Sequence, residues 1–139
     1  MKKTLLDTDI LSDFLRGKNL NVVRRAEAYL GEYGHFTVSV VTVFEIVRGR
    51  YQAQQVDRAS QFLAWTEGAE LISFDHQCAR TGGEIAGALL RGGTTVGVAD
   101  SLIAATAIAH GLTLATANVD HFQRMSAFGL TIENWRDTR

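Results

Sequence analysis

At 139 residues the chain suits one domain over 1–139, because lengths of about 100–150 are the commonest domain size; a hydrophobic content of 46% can fill its core. A formal net charge of −1 excludes a generally basic nucleic-acid coat, and no apolar run approaches the roughly 20 residues of a membrane span. The single cysteine, Cys78, excludes an internal disulfide and a cysteine-based zinc site. The start, Met1-Lys2-Lys3-Thr4-Leu5-Leu6-Asp7, has two apolar residues before an acid and does not read as a signal peptide. A reducing cytoplasm is the expected home.

In chain order, residues 4–7 read as a short buried strand that ends on Asp7, followed by helices over 10–16 and 22–30. A second strand over 36–39 runs directly into a helix over 40–51, and a further helix covers 57–65. Strand 71–74, helix 77–90 and helix 100–110 come next, then strands 112–115 and 130–132. Glycines punctuate these segments, and proline is absent. Strands alternating with helices imply crossover connections and a parallel sheet covered on both faces. Ligands in such folds gather beyond the carboxyl ends of the strands. Asp7 and Ser39 end strands, and Thr116 with Asn118 follows one.

Four acids stand where an apolar segment ends or is interrupted: Asp7, Glu45, Asp100 and Asp120. Asp7 has an alternative use as the N-cap of the helix that follows, a role open to Asp9 as well. Glu45 forms one polar stripe with Thr42 and Arg48 or Gly49 on a helix otherwise made of Val, Phe and Ile; its alternative is a structural pair with Arg48 or with an arginine elsewhere in the chain. Asp100 precedes a helix apolar nearly all round, where a negative charge suits the helix dipole and Ser101 is also available as a cap. Asn118 is a candidate to orient a metal-bound water or to hold the Asp7 carboxylate, and Asp120, beside Asn118 and His121, has the alternative of a turn residue. His35, His76, His110 and His121 show no ligand spacing and read as structural or surface residues.

Carboxylates set among aliphatics are costly unless a cation compensates them, and a divalent metal held by oxygen ligands is the simplest such cation. No nucleophilic Ser/His or Cys/His set accompanies them, which points to metal-assisted hydrolysis of a phosphodiester. Eleven arginines outnumber three lysines, and guanidinium groups bind phosphate bidentately. Arg16, Arg48, Arg50, Arg80 and Arg91 are candidate phosphate clamps, each with a solvated helix face as its alternative. Trp65 and Trp135 are candidate protein-contact residues whose alternative is core or edge packing.

Four segments carry a resemblance. They are Leu5-Leu6-Asp7-Thr8-Asp9-Ile10, Ser39-Val40-Val41-Thr42-Val43-Phe44-Glu45-Ile46, Val96-Gly97-Val98-Ala99-Asp100-Ser101-Leu102-Ile103-Ala104-Ala105-Thr106-Ala107, and Leu114-Ala115-Thr116-Ala117-Asn118-Val119-Asp120-His121-Phe122. In this order and at this spacing the set resembles the PIN-domain nucleases, most closely their VapC-type toxin branch. The resemblance implies a single PIN-like domain, three-layer α/β/α with a central parallel sheet. It implies a Mg²⁺-dependent endoribonuclease, the toxin of a toxin–antitoxin pair, that cuts tRNA or rRNA. Asp7, Glu45 and Asp100 would be catalytic, with Asp7 and Asp100 holding Mg²⁺ or Mn²⁺. Thr8, Asp9, Ser39, Thr116, Asn118 and Asp120 would support them. Asp9 departs from the Asn usual in the family, which leaves open whether it adds charge to the site or turns away. A homodimer and a cognate VapB-like antitoxin, whose tail blocks the cleft, are also implied.

Two other classes share parts of the pattern. Asp7-Thr8-Asp9 after a strand is similar to the opening motif of haloacid-dehalogenase-like phosphatases, where the first Asp is a covalent nucleophile. Such enzymes need a later lysine, and none follows Lys18. A receiver-like module with a regulatory Mg²⁺ pocket meets the same objection. A non-catalytic PIN-like interaction module is the remaining alternative.

Overall fold

The computed structural model describes residues 1–138. Its elements are β1 (Thr4–Leu6), α1 (Thr8–Arg16), α2 (Leu20–Tyr33), β2 (Thr37–Ser39), α3 (Val40–Gln52), α4 (Val56–Thr66) and β3 (Glu70–Ile72). They continue with α5 (His76–Arg91), α6 (Val98–Ala109), β4 (Thr113–Ala115), α7 (Val119–Phe122), a 3₁₀ turn (Gln123–Phe128) and β5 (Ile132–Glu133). The sheet runs β3-β2-β1-β4-β5 and every pairing is parallel.

Alternation along the strands builds the layers, since successive side chains point to opposite faces. Leu5 and Leu114 are register partners, and both enter the core formed with Ile85 of α5, Ile103 of α6 and Phe122 of α7. Their neighbours Leu6 and Ala115, also partners, enter the opposite core with Leu11 of α1, Val22 of α2 and Phe62 of α4. Two hydrophobic layers therefore flank one sheet, which is the three-layer α/β/α arrangement. Leu5, Leu6 and Leu114 are fully buried, each contributing about 1.5–3 kcal/mol through burial.

Several local details differ from the expectations. Helix α1 begins at Thr8 rather than at residue 10, because Asp7 itself is the N-cap: its backbone is extended and its side chain accepts from the Thr8 N–H. Gly17 closes that helix in the left-handed region, at φ 63°, where a Cβ would be strained. Helix α6 begins at Val98, so Asp100 lies within its first turn rather than ahead of it. Ser101 is not the cap; its hydroxyl donates to the Gly97 carbonyl at 3.1 Å. The loop after β4 coils into α7 and the 3₁₀ turn, pinned by the fully buried Phe122 and Met125. Strand β5 lies at Ile132–Glu133, beyond the position expected from the apolar run. Trp135 is fully buried beside Tyr29, with ring centroids 6.0 Å apart, so it is a core residue and not a contact surface.

The strand order has one consequence for function. From β1 the chain builds outward through β2 and β3, then returns to place β4 on the other side of β1. A reversal of this kind opens a crevice at the carboxyl edge. Asp7, Ser39 and Thr116 each follow or end one of the three central strands and line that edge together.

Candidate active site

Asp7 is the centre of the edge. It is 7% exposed, and its backbone N–H donates to the Ala115 carbonyl of β4 at 2.9 Å, which fixes it to the neighbouring strand. Its Oδ1 accepts from the Thr8 N–H at 2.9 Å, and its Oδ2 accepts from the Thr116 hydroxyl at 2.8 Å. Burial, and then the charges of Asp9 and Asp100, push its pKa up to about 7 against the two hydrogen bonds. A carboxyl lifted that far is one whose negative charge lacks a compensating cation.

Thr8 links two acids. Its N–H donates to Asp7, and its hydroxyl donates to Glu45 Oε1 at 2.9 Å, joining α1 to α3. Glu45 does not pair with Arg48, whose guanidinium instead lies 5.4 Å from the Phe44 ring centroid. The structural pair that competed for Glu45 is therefore absent among the described residues.

Asp9 faces the same edge. Its Oδ2 accepts from the Ala117 N–H at 3.0 Å, beyond β4, and its Oδ1 from the Ile10 N–H at 2.7 Å. Burial raises its pKa, opposed by these amide bonds and by Arg136. Asp9 thus ties the β4 loop to α1 and stands near enough to Asp7 to raise its pKa. Asp100 stands in the first turn of α6, and its field reaches Asp7. Its Oδ2 lies 3.5 Å from His121 Nδ1 on α7, a neighbour that spacing did not reveal, because α7 itself was not expected.

The remaining candidates divide. Thr116 carries a double role: its oxygen accepts from the Asn118 N–H at 3.0 Å while its hydroxyl holds Asp7. The side chain that grips Asp7 is thus Thr116 and not Asn118, whose side chain is exposed. Ser39 is fully buried and caps α3, accepting from the Val41 N–H at 3.0 Å. Asp120 is exposed on α7 and, among the described residues, makes no hydrogen bond or ion pair to the other acids.

A second polar trio lies elsewhere. Asp75, Cys78 and His110 place one ligand atom each within 4.8 Å of one another. Asp75 caps α5 through the Cys78 N–H at 2.9 Å and faces His110 Nε2 at 3.5 Å. A helix cap and the contact between Asp75 and His110 account for this grouping, which spacing along the chain did not reveal. The Asp7 group differs in being all oxygen, as hard divalent cations prefer. It also differs in that no ion pair reaches Asp7, Asp9 or Glu45 among the described residues, although His121 stands 3.5 Å from Asp100 and Arg136 acts on Asp9 at longer range. Its donors are of the kind a hard divalent cation takes.

The phosphatase alternative loses support here. No lysine follows Lys18, and Lys3 precedes β1 and is paired with Glu70 at 2.8 Å, away from the carboxyl edge.

Comparisons with known proteins bear on the family and the fold. The PIN-domain family profile matches residues 4–127. The chain is 32% identical to the tRNA(fMet)-specific endonuclease VapC of Shigella flexneri, over 97% of this chain and 99% of that protein. It is 30% identical to ribonuclease VapC1 of Methanocaldococcus jannaschii, over 94% of this chain and 86% of that protein. Among solved structures, DNA-bound VapBC from Salmonella typhimurium superposes with a TM-score of 0.83 at 28% identity, covering 97% of this chain and 99% of that one.

Proposed function

This chain belongs to the PIN-domain family, and on that premise we propose that it is a divalent-metal-dependent endoribonuclease acting as the toxin of a VapBC-type toxin–antitoxin pair. The substrate class is structured RNA, tRNA or rRNA, as in the VapC relatives named for tRNA cleavage. The protein works in the cytoplasm as a single domain that forms a homodimer and is held inactive by a VapB-like antitoxin. No helix among the described residues is long and apolar enough to cross a membrane.

One observation carries the assignment. Asp7 is nearly sealed from solvent, stands within the fields of Asp9 and Asp100, and has no cationic partner among the described residues. Asp7 and Asp100 would hold Mg²⁺ or Mn²⁺, with Glu45 completing the set. The ion, when bound, supplies positive charge opposite the phosphoryl oxygens and the leaving oxygen. Thr8 keeps Asp7 and Glu45 in fixed register through its N–H and hydroxyl. Thr116 prevents Asp7 Oδ2 from rotating away. Glu45 Oε2 takes the proton of the attacking water, because Thr8 engages only Oε1. Asp9 holds the β4 loop against α1 and adds negative charge.

The test is cleavage of purified total tRNA and rRNA by the native protein with EDTA, Mg²⁺ or Mn²⁺, beside induced expression with and without the adjacent small open reading frame. Metal-dependent cleavage, with growth arrest relieved by the neighbour, is the expected result. Intact RNA under every metal condition would reject the nuclease assignment, and unaffected growth would reject the toxin assignment.

A further inference from the structure

Resting on the nuclease reading above, we infer that Arg16, Arg50 and Arg58 form an RNA-backbone track leading away from the acids, with Trp65 as a base platform beside it. Two clefts share a wall. One, of about 340 Å³, is lined by Thr8, Ser12 and Glu45 together with Arg16 and Arg50. The other, of about 300 Å³, is lined by the same Arg16 and Arg50, then Arg58, Phe62 and Trp65. The surface therefore passes without interruption from a catalytic carboxylate to three guanidinium groups and an aromatic floor.

Charge identifies the occupant. Among the described residues none of the three arginines makes an ion pair; Arg50 donates only to the neutral Gln55 Oε1 at 3.2 Å. In a chain of net charge −1, three arginines on one cleft with no ion pair make it suited to an anion. Arg16 and Arg50 stand in the last turns of α1 and α3, where the helix dipole alone would account for them. Arg58 stands in the first turn of α4, where the dipole opposes a cation. Guanidinium groups bind phosphates in pairs of hydrogen bonds, and a half-buried Trp65, stacked on Phe62 at 5.8 Å, offers a rigid face for a base.

The experiment uses an Asp7→Asn background, so that RNA survives, and end-labelled total tRNA as probe. Anisotropy titrations across NaCl concentrations compare it with Arg16→Ala, Arg50→Ala and Arg58→Ala combined, and with the exposed Arg58→Ala alone, which keeps the fold testable. The triple variant should bind at least about tenfold more weakly, with a salt slope reduced by roughly 0.7–0.9 for each phosphate no longer neutralised. Arg80→Ala, which removes an ion pair with Glu84 on α5, should bind like its parent. Unchanged affinity and slope in both cleft variants overturns the track. So does a loss of antitoxin capture with RNA binding intact, which would give the cleft to a protein. Failure of the native enzyme to cut RNA that it still binds through these arginines would instead reject the nuclease reading and leave the track standing.

Discussion

Thr116 donates its hydroxyl to Asp7 Oδ2 at 2.8 Å, across 109 positions of sequence and one strand pairing. The bond is fully buried, and it turns a strand-end acid into a fixed one. Thr116→Val keeps the shape and removes the donor. The variant should lose about 1–3 kcal/mol of stability, the usual cost of a buried group left short of a hydrogen bond to a charge, and Asp7 should titrate still higher. Thermal melts and carboxyl titration by NMR check both; an unchanged melt would mean that Asp7 is held by Thr8 alone.

Asp7 also sets a pH dependence for the metal-free protein. Folded, it keeps its proton up to about pH 7, against an ordinary value of 3.8. Between those values the native state binds one proton more than the unfolded chain, so Asp7 makes stability fall as pH rises. The loss begins above the ordinary value and is complete above the folded one. Denaturant melts in EDTA at pH 5, 6, 7 and 8 should show a decline of up to a few kcal/mol, absent in Asp7→Asn. Millimolar Mg²⁺ should restore stability most at pH 8, since a ligand that binds only the folded state stabilises it by mass action. Parallel curves for the native protein and Asp7→Asn would show that another group sets the pH dependence.

Asp100→Asn removes an anion from the first turn of α6 without touching a core side chain. RNA cleavage should fall by at least about a hundredfold, the scale of losing one electrostatic group from a transition state, while the melting curve in EDTA stays within experimental spread or rises. Asp100→Asn with full activity would show that the ion is held elsewhere.

Thr8 predicts a graded effect. Thr8→Val leaves the N–H to Asp7 in place and deletes the hydroxyl that positions Glu45. Activity should drop roughly tenfold to a hundredfold through kcat, and Thr8→Ser, which keeps the hydroxyl, should recover most of it. Equal defects in both would point to a packing role for the methyl group.

Much of this site was legible as a set of residues and little of it as a geometry. Asp7 and Asp100 stood out because carboxylates bordering aliphatic runs need compensation, and Glu45 because its helix carries so few other polar residues. The roles within the set were less visible. Asp7 caps its own helix where Asp9 was an equal candidate. Thr116 grips Asp7 where Asn118 was considered, and Asp120 is exposed on α7 beside the histidine that faces Asp100. His121 came near Asp100 only because Phe122 and Met125 bury themselves and coil the loop.

What the sequence determined alone was the alternation of short apolar strands with helices, hence a parallel sheet with ligands at its carboxyl edge, and the identity of the acids bordering it. Those follow from local periodicity, which each segment carries within itself. Only the tertiary structure decided that β1 lies between β2 and β4, that Thr8 bridges two acids, and that Arg16, Arg50 and Arg58 meet on one wall. These depend on how distant segments pack to bury two hydrophobic layers, and a hydrogen bond across 109 positions leaves no trace in local pattern.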